Sequence, residues 1–520
     1  MGRIKFIFIL LVFAFCIYPC YGEKHYAEVN GWDFCNWDVG GTRWDIFQQS
    51  FIGISENDAL DLLLYSTLYY ELTKSYVCFG MCLMATTILK EEGHLGFCKP
   101  VYRYPGDNVW IKNVDDYTGP ADTLLGKAIM IMQAHQASQA MISCFAERAV
   151  TGEIKDAMAA YNDVEYYLAA NDPPLISVIA GSGDGHALIA YDTEKVSNNE
   201  WKIYIYDPNR SYRAFKSYYN MDSNYIKIET TSNPSGYRWS FLRDKRRDNE
   251  LWEGDMSANS DGFIFAYPSS MVIPPSTNPF KSLGEDLNTV FFAGDGGYVA
   301  QITDGEGKKF YKTDAKKHES FSDIENDPGR KIAGMVRFPL ITDSPGKKPE
   351  VYFVKNNRSG DLNIDIVSKG KGYELYIAGG GNFVKINAED SPAGRDKLIF
   401  RDVGTPGEEV HLSSKRPSVD FNVELYRSLG EEKKSRTFKL SGVKIRKNSP
   451  VKLCLVKDQK GVLLKSGKDK FSFDFEIQER EGKKVNRVLK KGLKVEGGAW
   501  QSVVPGNWEK LEDTGIKVRK

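Results

Sequence analysis

The hydrophobic period of the chain changes once, and this change limits the possible folds more than any other feature. Before Pro173-Pro174, apolar residues recur at helical spacing, which predicts helices at about residues 57–73, 78–90, 121–148 and 152–170. After these prolines, short apolar or alternating runs between turn residues predict strands. Helices followed by an antiparallel sheet indicate an α+β fold for the first half of the chain.

The 520 residues are too many for one ordinary core and predict two to four domains. Beyond Pro274-Pro275 there is almost no helical periodicity, and short runs between Gly, Lys, Asp and Pro turns predict an all-β, sandwich-like C-terminal region. A linker is expected at 343–349. The predicted division is a signal peptide at 1–22, an α+β domain at 23–275, a β-rich extension at 276–345 and a β-sandwich-like domain at 350–520. The extension is alternatively part of the preceding domain.

The first 22 residues have the pattern of a secretory signal peptide. Arg3 and Lys5 precede an apolar run from Phe6 to Tyr18, and small residues at the end of the segment permit cleavage before Glu23. The run is short for a membrane span, which needs about 20 residues. We therefore expect a secreted, periplasmic or cell-surface protein with no stable membrane span after cleavage; an uncleaved anchor is the alternative.

Charge and metal-ligating residues exclude several functions. The 69 basic and 69 acidic residues balance, so nothing in the net charge favours nucleic-acid binding. Six scattered histidines and the absence of paired CxxC motifs argue against a structural zinc site, and no cofactor is predicted. In an exported protein some cysteines can form disulfides. Cys35 with Cys98 is one conceivable pair, although sequence alone does not determine connectivity.

The segment from Cys78 to Lys90 predicts a buried helix that begins on a cysteine. A thiol in the first helical turn lies at the positive end of the macrodipole, which favours the nucleophilic thiolate. Ser75 is the expected N-cap, and Gly80 leaves room for close approach by a substrate or another segment. Cys82, one turn further along, is expected to be an inert packing residue.

A cysteine nucleophile needs a base, and the base needs a group that orients it. His186 follows a glycine-containing loop at the start of a predicted strand, and Asp207 ends the next strand. Neighbouring antiparallel strands would bring these residues to one end of the sheet, facing the start of the cysteine helix. Asn209 is the alternative orienting residue. In simpler interpretations, His186 is structural and Asp207 caps a turn before Pro208.

Three segments carry a family resemblance: Cys-Phe-Gly-Met at 78–81, Gly-His-Ala-Leu-Ile-Ala-Tyr at 185–191 and Tyr-Asp-Pro-Asn at 206–209. They resemble the signature segments of papain-like cysteine peptidases, especially bacterial branches such as the peptidases that process bacteriocin leaders. The resemblance covers about residues 23–270. It implies a papain-like α+β fold in which Cys78 is the nucleophile, His186 the base and Asp207 the orienting residue of a Cys-His-Asp triad.

The chain departs from the family pattern in one respect. Papain-like enzymes usually carry a Gln shortly before the nucleophile as an oxyanion donor, and residues 72–77 contain none. Losing such a donor typically costs about 100- to 1,000-fold in rate. Asn36 is the favoured substitute, with Gln48 and Gln49 as alternatives.

The leading hypothesis is an exported thiol peptidase that cleaves peptide or isopeptide bonds in a polypeptide or cell-wall peptide through an acyl-enzyme. Transglutaminases and cell-wall amidases can use the same triad. Two alternatives are not enzymes. One is a catalytically degenerate peptidase fold that serves as a secreted binding or adhesion protein, and the other is a purely structural surface protein. Nothing in the sequence specifies the oligomeric state.

Overall fold

The computed structural model describes residues 31–37, 39, 43–74, 76–104, 123–179, 185–209, 224–232, 235–242, 251–255, 262–282, 287–294, 297–304, 309–312, 335–338, 349–355, 361–403, 405, 407–429, 434–456, 459–508, 511 and 516–519. The predicted signal peptide and all of the predicted linker except Pro349 lie outside the described residues.

The described residues before Pro173 are mainly helical. The helices are α1 (Trp44–Ser50), α2 (Ala59–Leu64), α3 (Tyr70–Thr73), α4 (Cys78–Glu91), α5 (Leu124–Ala134), α6 (Gln139–Thr151) and α7 (Ala157–Ala169), with a π-helical turn (Tyr65–Tyr69) joining α2 to α3, and 3₁₀ turns at Val101–Arg103, His135–Ala137 and Glu153–Lys155. Two short helices, α8 (Ser269–Val272) and α9 (Pro279–Ser282), follow later. Side-chain caps fix several starts, as where Asp58 accepts hydrogen bonds from the first amides of α2.

The single helix predicted at 121–148 is two helices, so that prediction was wrong. Ser138 has extended backbone dihedrals (φ −69°, ψ 153°), and its hydroxyl accepts a hydrogen bond from Met141 N at the start of α6. Apolar periodicity continues across the break because both α5 and α6 bury one face. The polar N-cap that separates them therefore leaves little trace in the hydrophobic pattern.

Helix α4 is the centre of the first half of the molecule and is buried along most of its length. A Cβ on Gly80 would lie 2.2 Å from the Ile129 carbonyl oxygen of α5, so glycine is needed where the two helices cross. The close approach expected at Gly80 is thus confirmed, and the approaching segment is α5. Ser75, the expected N-cap, lies outside the described residues. The N-cap position of α4 is Val77, which makes no side-chain cap hydrogen bond.

A seven-stranded antiparallel sheet packs on α4. Its strand order is β7-β6-β5-β4-β3-β2-β8. The strands are β2 (Pro174–Ile179), β3 (Gly185–Lys195), β4 (Glu200–Tyr206), β5 (Tyr225–Ser232), β6 (Ser235–Leu242), β7 (Leu251–Asp255) and β8 (Phe263–Pro268). One face packs against α7, and the other joins the core of α4 and α5. The expected order of helices and then antiparallel strands is therefore present.

The C-terminal region is an all-β, sandwich-like structure of two nine-stranded antiparallel sheets. The first sandwich sheet has the order β13-β14-β10-β16-β17-β20-β21-β24-β25 and contains β10 (Leu287–Ala293), β13 (Met335–Phe338), β14 (Glu350–Lys355), β16 (Tyr373–Gly379), β17 (Asn382–Ala388), β20 (Ser418–Ser428), β21 (Lys434–Arg446), β24 (Phe471–Glu481) and β25 (Lys484–Val495).

The second sandwich sheet has the order β12-β11-β15-β18-β19-β22-β23-β26-β27. Its strands are β11 (Gly297–Asp304), β12 (Lys309–Lys312), β15 (Leu362–Ser368), β18 (Gly394–Arg401), β19 (Glu409–Ser414), β22 (Val451–Leu455), β23 (Val462–Ser466), β26 (Trp500–Pro505) and β27 (Ile516–Arg519). Alternate residues of both sheets enter one shared core of Val, Ile, Leu and Phe side chains.

The predicted boundary near 345–350 does not separate two β-units in the structure. Strand β10 lies between β14 and β16, and β11 pairs with β15, so strands from both sides of the boundary share the same two sheets. A Pro/Gly/Lys-rich connection has the composition of an interdomain linker whether it joins two domains or two strands. Pairing partners far along the chain, which composition does not reveal, decide between these cases.

The two halves of the molecule share a hydrophobic contact region. Phe291, Phe353 and Tyr426 of the first sandwich sheet belong to the same buried cluster as α2 and α4. Arg480 Nη1 also donates a hydrogen bond to Asn57 Oδ1 at 2.8 Å. A short parallel pair of β1 (Phe51–Ile52) and β9 (Ser276–Thr277) lies in the N-terminal half.

Across the described part of the chain, no helix combines the length and apolar character needed to cross a bilayer.

Candidate active site

The start of α4 holds Cys78 in a buried position, with 4% of the residue exposed. The amide of Val77 donates to Asn36 Oδ1 at 2.8 Å, and the amide of Gly80 donates to Gln133 Oε1 at 2.7 Å. Side chains from other segments therefore satisfy donors that a helix start leaves without intrahelical partners. Cys78 lies between these two anchored amides, at the positive end of the helix dipole.

His186 and Asp207 meet at the end of the seven-stranded sheet. His186 Nε2 lies 2.7 Å from Asp207 Oδ1, and the two residues are 1% and 0% exposed. Strands β3 and β4 are paired, with Ile189 opposite Tyr206, so the start of β3 and the end of β4 lie at the same edge. The imidazole also stacks on Phe241 of β6, which fixes the plane of the ring.

Cys78 and Asp207 both act on the His186 imidazole, which connects the three predicted catalytic residues. Burial by itself lowers the pKa of His186. The charge and hydrogen bond of Asp207, together with a favourable interaction with Cys78, outweigh burial and raise that pKa to about 10. The imidazole is therefore cationic at neutral pH.

Asn36 links the loop before α1 to both sides of the site. Its Nδ2 donates to Asn209 Oδ1 at 3.0 Å, and its backbone amide donates to Pro208 O at 2.8 Å. Since its Oδ1 accepts from Val77 N, one hydrogen of Nδ2 is left for another acceptor. Asn36 thus lies beside the start of α4 and connects it to the segment that follows β4.

Asn209, the alternative orienting residue, also contacts the imidazole. Its Nδ2 lies 3.3 Å from His186 Nε2, a longer separation than the 2.7 Å from Asp207. The carboxylate is therefore the closer partner, and Asn209 connects it to Asn36. The other proposed donors, Gln48 and Gln49, are exposed on α1, where Gln49 Nε2 donates to Asp45 O.

Gln133 is a site residue that the sequence did not reveal. It is buried on α5; its Oε1 accepts from Gly80 N, and its Nε2 donates to the carbonyl oxygens of Leu72 and Tyr76. These bonds tie the segment before Cys78 to the first turn of α4. Gln133 is 53 residues from Gly80 in sequence, so no local motif signals the contact.

Cys82 is fully buried and has the packing role expected of it. Its thiol donates to the Ala187 carbonyl oxygen at 3.3 Å. Burial raises the pKa of the Cys82 thiol well above its usual value, and Cys78 and Asp207 act in the same direction. Cys98 is an exposed free thiol, so the conceivable Cys35–Cys98 disulfide is not formed in this structure.

The described residues contain no group of three or more His, Cys, Asp and Glu side chains arranged to hold a metal ion. A small cleft opens beside the start of α4 and is bordered by Tyr69, Thr73, Val77, Met130 and Gln133. Its wall includes the residue immediately before Cys78.

Comparisons with protein-family models, with curated proteins and with solved structures found no match to this chain.

Proposed function

We propose that this protein is an exported thiol hydrolase of papain-like type that cleaves peptide or isopeptide bonds. The observation that carries the proposal is the connected set of Cys78, His186 and Asp207. The imidazole interacts with the Cys78 thiol and lies 2.7 Å from the Asp207 carboxylate. Such a nucleophile, base and orienting group is the arrangement used for acyl transfer through a thioester.

In the proposed reaction, the Cys78 sulfur attacks the substrate carbonyl carbon, and the imidazolium of His186 gives its proton to the leaving amine. A thioester and a free amine result. His186, now neutral, takes a proton from water as the water attacks the thioester; collapse of the adduct expels the Cys78 thiolate, restores the thiolate–imidazolium pair and releases the acid. Asp207 holds the ring in position and stabilises its cationic form throughout.

The proposed oxyanion donors are the backbone N–H of Cys78 and the Nδ2 hydrogen of Asn36 that Asn209 does not use. Asn36 is held at its backbone and at both side-chain heteroatoms, so its amide is positioned before substrate binds. The proposed substrate is a polypeptide or cell-wall peptide, encountered outside the cytoplasm after removal of residues 1–22.

A second candidate is a peptidase-like fold that has become a secreted binding or adhesion protein. The burial of the site favours it, because Cys78 is 4% exposed and His186 1% exposed. A substrate carbonyl must reach the sulfur, so catalysis requires that this end of the sheet open.

The test is the pH dependence of iodoacetamide alkylation, with labelled sites mapped on the intact chain. The exposed free thiol of Cys98 is an internal reference. A thiol that is not activated labels about tenfold faster per pH unit below about pH 8.5, as the thiolate fraction rises. The proposal predicts that labelling of Cys78 is almost independent of pH between 6 and 8, and that it is absent in Cys78→Ala.

Cys82→Ala is the matched control, since it removes the neighbouring thiol and should leave the Cys78 profile unchanged. A Cys78 rate that follows the Cys98 profile would refute the ion pair and hence the proposed hydrolase. Complete resistance of Cys78 under native conditions would favour the closed binding protein.

A further inference from the structure

The outward face of the second sandwich sheet carries an excess of positive charge. Strand alternation directs every second residue of β18, β22, β23 and β27 away from the core, and the core residues between them are largely buried. Seven cations share this outward face, which we call the basic face: Arg395, Lys397, Arg401, Lys452, Lys465, Lys517 and Arg519.

Strand register brings part of this charge into a single row. His411 of β19 pairs with Lys452, Lys452 pairs with Lys465, and Lys465 pairs with Trp500 of β26. Neighbouring strands lie about 4.8 Å apart, so the five steps from β18 to β27 span about 24 Å. The basic face is therefore assembled from residues more than one hundred positions apart in the sequence, with Lys452 and Lys465 side by side at its centre.

Few acids balance these cations. Two outward acids of the described strands lie opposite cations: Asp365 of β15 pairs with Lys397, and Glu409 of β19 pairs with Arg401 and lies 2.8 Å from His411 Nε2. None of the seven cations takes part in an ion pair among the described residues. On the first sandwich sheet, the outward cations Lys385 and Lys439 form ion pairs with Glu374 and Glu424 across neighbouring strands.

Protection of sheet edges does not explain the basic face. Lysines are common on edge strands because they discourage pairing with other chains. Lys452 and Lys465, however, lie on β22 and β23, which are interior strands of the sheet. The pKa of the neighbouring His411 reflects this positive charge. Burial lowers the pKa of His411, and the charges of Lys452 and Arg401 lower it further, whereas Glu409 raises it.

Trp500 adds an exposed aromatic ring to the same row. It is 39% exposed, and Lys465 Nζ lies 5.9 Å from its ring centroid. No other described residue of this outward face is an exposed large hydrophobic. The row therefore combines cations with one flat apolar surface beside them.

We propose that the basic face binds an anionic polysaccharide. The cations pair with its carboxylate, sulfate or phosphate groups, and Trp500 stacks on a sugar ring. A bilayer is less suited, since insertion uses several apolar side chains. Single-stranded nucleic acid is less suited, since such sites present successive aromatic platforms in a groove. An exported chain, as predicted from residues 1–22, would also meet cell-surface glycans first.

The test uses the full chain and four probes: heparin, alginate, single-stranded DNA and phosphatidylserine-containing vesicles. Binding is measured at 50 and 200 mM NaCl for the wild type, for Lys452→Gln/Lys465→Gln and for Trp500→Ala. Lys439→Gln/Lys444→Gln on the first sandwich sheet removes the same charge and is the matched control. Thermal unfolding confirms that each variant is folded.

We expect saturable binding to heparin or alginate that weakens with salt. The double lysine variant should reduce the slope of log Kd against log salt by about two, one for each contact. Trp500→Ala should weaken binding about tenfold, on the scale of aromatic stacking. The control should bind as the wild type does, and labelling of Cys78 should be unchanged in every variant.

If the control variant loses as much glycan affinity as the variants of the basic face, a specific binding site on that face is refuted. Absence of glycan binding at 50 mM NaCl would also refute the proposal. Tighter binding to DNA or to vesicles than to either glycan would assign the face to that class of partner and reject the polysaccharide. None of these outcomes depends on whether Cys78 is catalytic.

Discussion

Gly80→Ala is predicted to distort the candidate active site, because a single added methyl group would push α4 away from α5. The new Cβ would lie 2.2 Å from the Ile129 carbonyl oxygen and 2.8 Å from Gln133 N, both of them backbone atoms of α5. Ordinary contact begins near 3.4 Å, so α4 and α5 must separate by about 1 Å. That movement also stretches the 2.7 Å hydrogen bond from Gly80 N to Gln133 Oε1.

The expected destabilisation is the sum of three effects. Overpacking costs about 1–3 kcal/mol. The buried Gly80 donor loses a good acceptor, which costs about 1–3 kcal/mol. The better helix propensity of alanine returns about 1 kcal/mol. The net cost to the packing of α4 on α5 is about 3 kcal/mol, which corresponds to roughly 100-fold faster opening of these helices.

Amide hydrogen exchange with peptide resolution measures this effect locally and does not require two-state unfolding of a chain of this size. Peptides from α4 and α5 should exchange about 100-fold faster in Gly80→Ala, while β20 peptides should be unchanged. Gly407→Ala is the control, since its nearest heavy atom, Thr405 Oγ1, would be 3.9 Å from the new Cβ. If exchange in α4 and α5 stays within threefold of the wild type, the helices are not packed as described and the reasoning fails.

Three further predictions concern the site and the sandwich. The pKa of His186 is raised from 6.5 to about 10. The protonated imidazole therefore contributes its full share to the free energy of unfolding below pH 6.5, and this contribution is lost as the pH rises towards 10. In Asp207→Asn, urea unfolding should show a smaller loss of stability between pH 7 and 10 than in the wild type; an equal loss would contradict the coupling. Asn36→Ala should slow alkylation of Cys78, because Val77 N loses its acceptor, whereas Asn36→Asp, which keeps that acceptor, should recover part of the rate. Equal rates in the two variants would contradict this role. Arg416→Ala should lower the free energy of unfolding by about 3–5 kcal/mol, because it leaves the buried Asp396 carboxylate without its cation, whereas Lys439→Ala, from a partly exposed pair with Glu424, should cost less than about 1 kcal/mol. Denaturant unfolding that finds similar costs for both would contradict the buried pair.

The sequence predicted elements that depend on local pattern. The helix of Cys78 begins and ends close to the predicted residues, because its apolar period is strong and it contains no internal proline. The strands predicted after Pro173-Pro174 are also present, for example β5 and β8. The break at Ser138 and the π-helical turn at Tyr65–Tyr69 were missed, since both preserve the apolar face of the surrounding helix.

The candidate site was found because the chemistry of Cys78, His186 and Asp207 has recognisable local contexts: a helix start, a strand start and a strand end. The supporting contact of Gln133 has no such context. Its hydrogen-bond partner, the Gly80 amide, is on another helix. The sequence around a glutamine in an apolar helix does not show whether its side chain accepts a hydrogen bond from a neighbouring helix. The basic face has the same character, because its lysines are unremarkable until register aligns them.

By itself, therefore, the sequence determined the helical first part, the β-rich remainder and the order of Cys78, His186 and Asp207 along the chain. Only the tertiary structure decided which strands share a sheet, where α5 crosses α4, and which side chains complete the surroundings of Cys78. The physical reason is that periodicity and capping residues indicate that a segment is buried against a packing partner. The identity of that partner depends on packing and strand pairing summed over residues far apart in the chain.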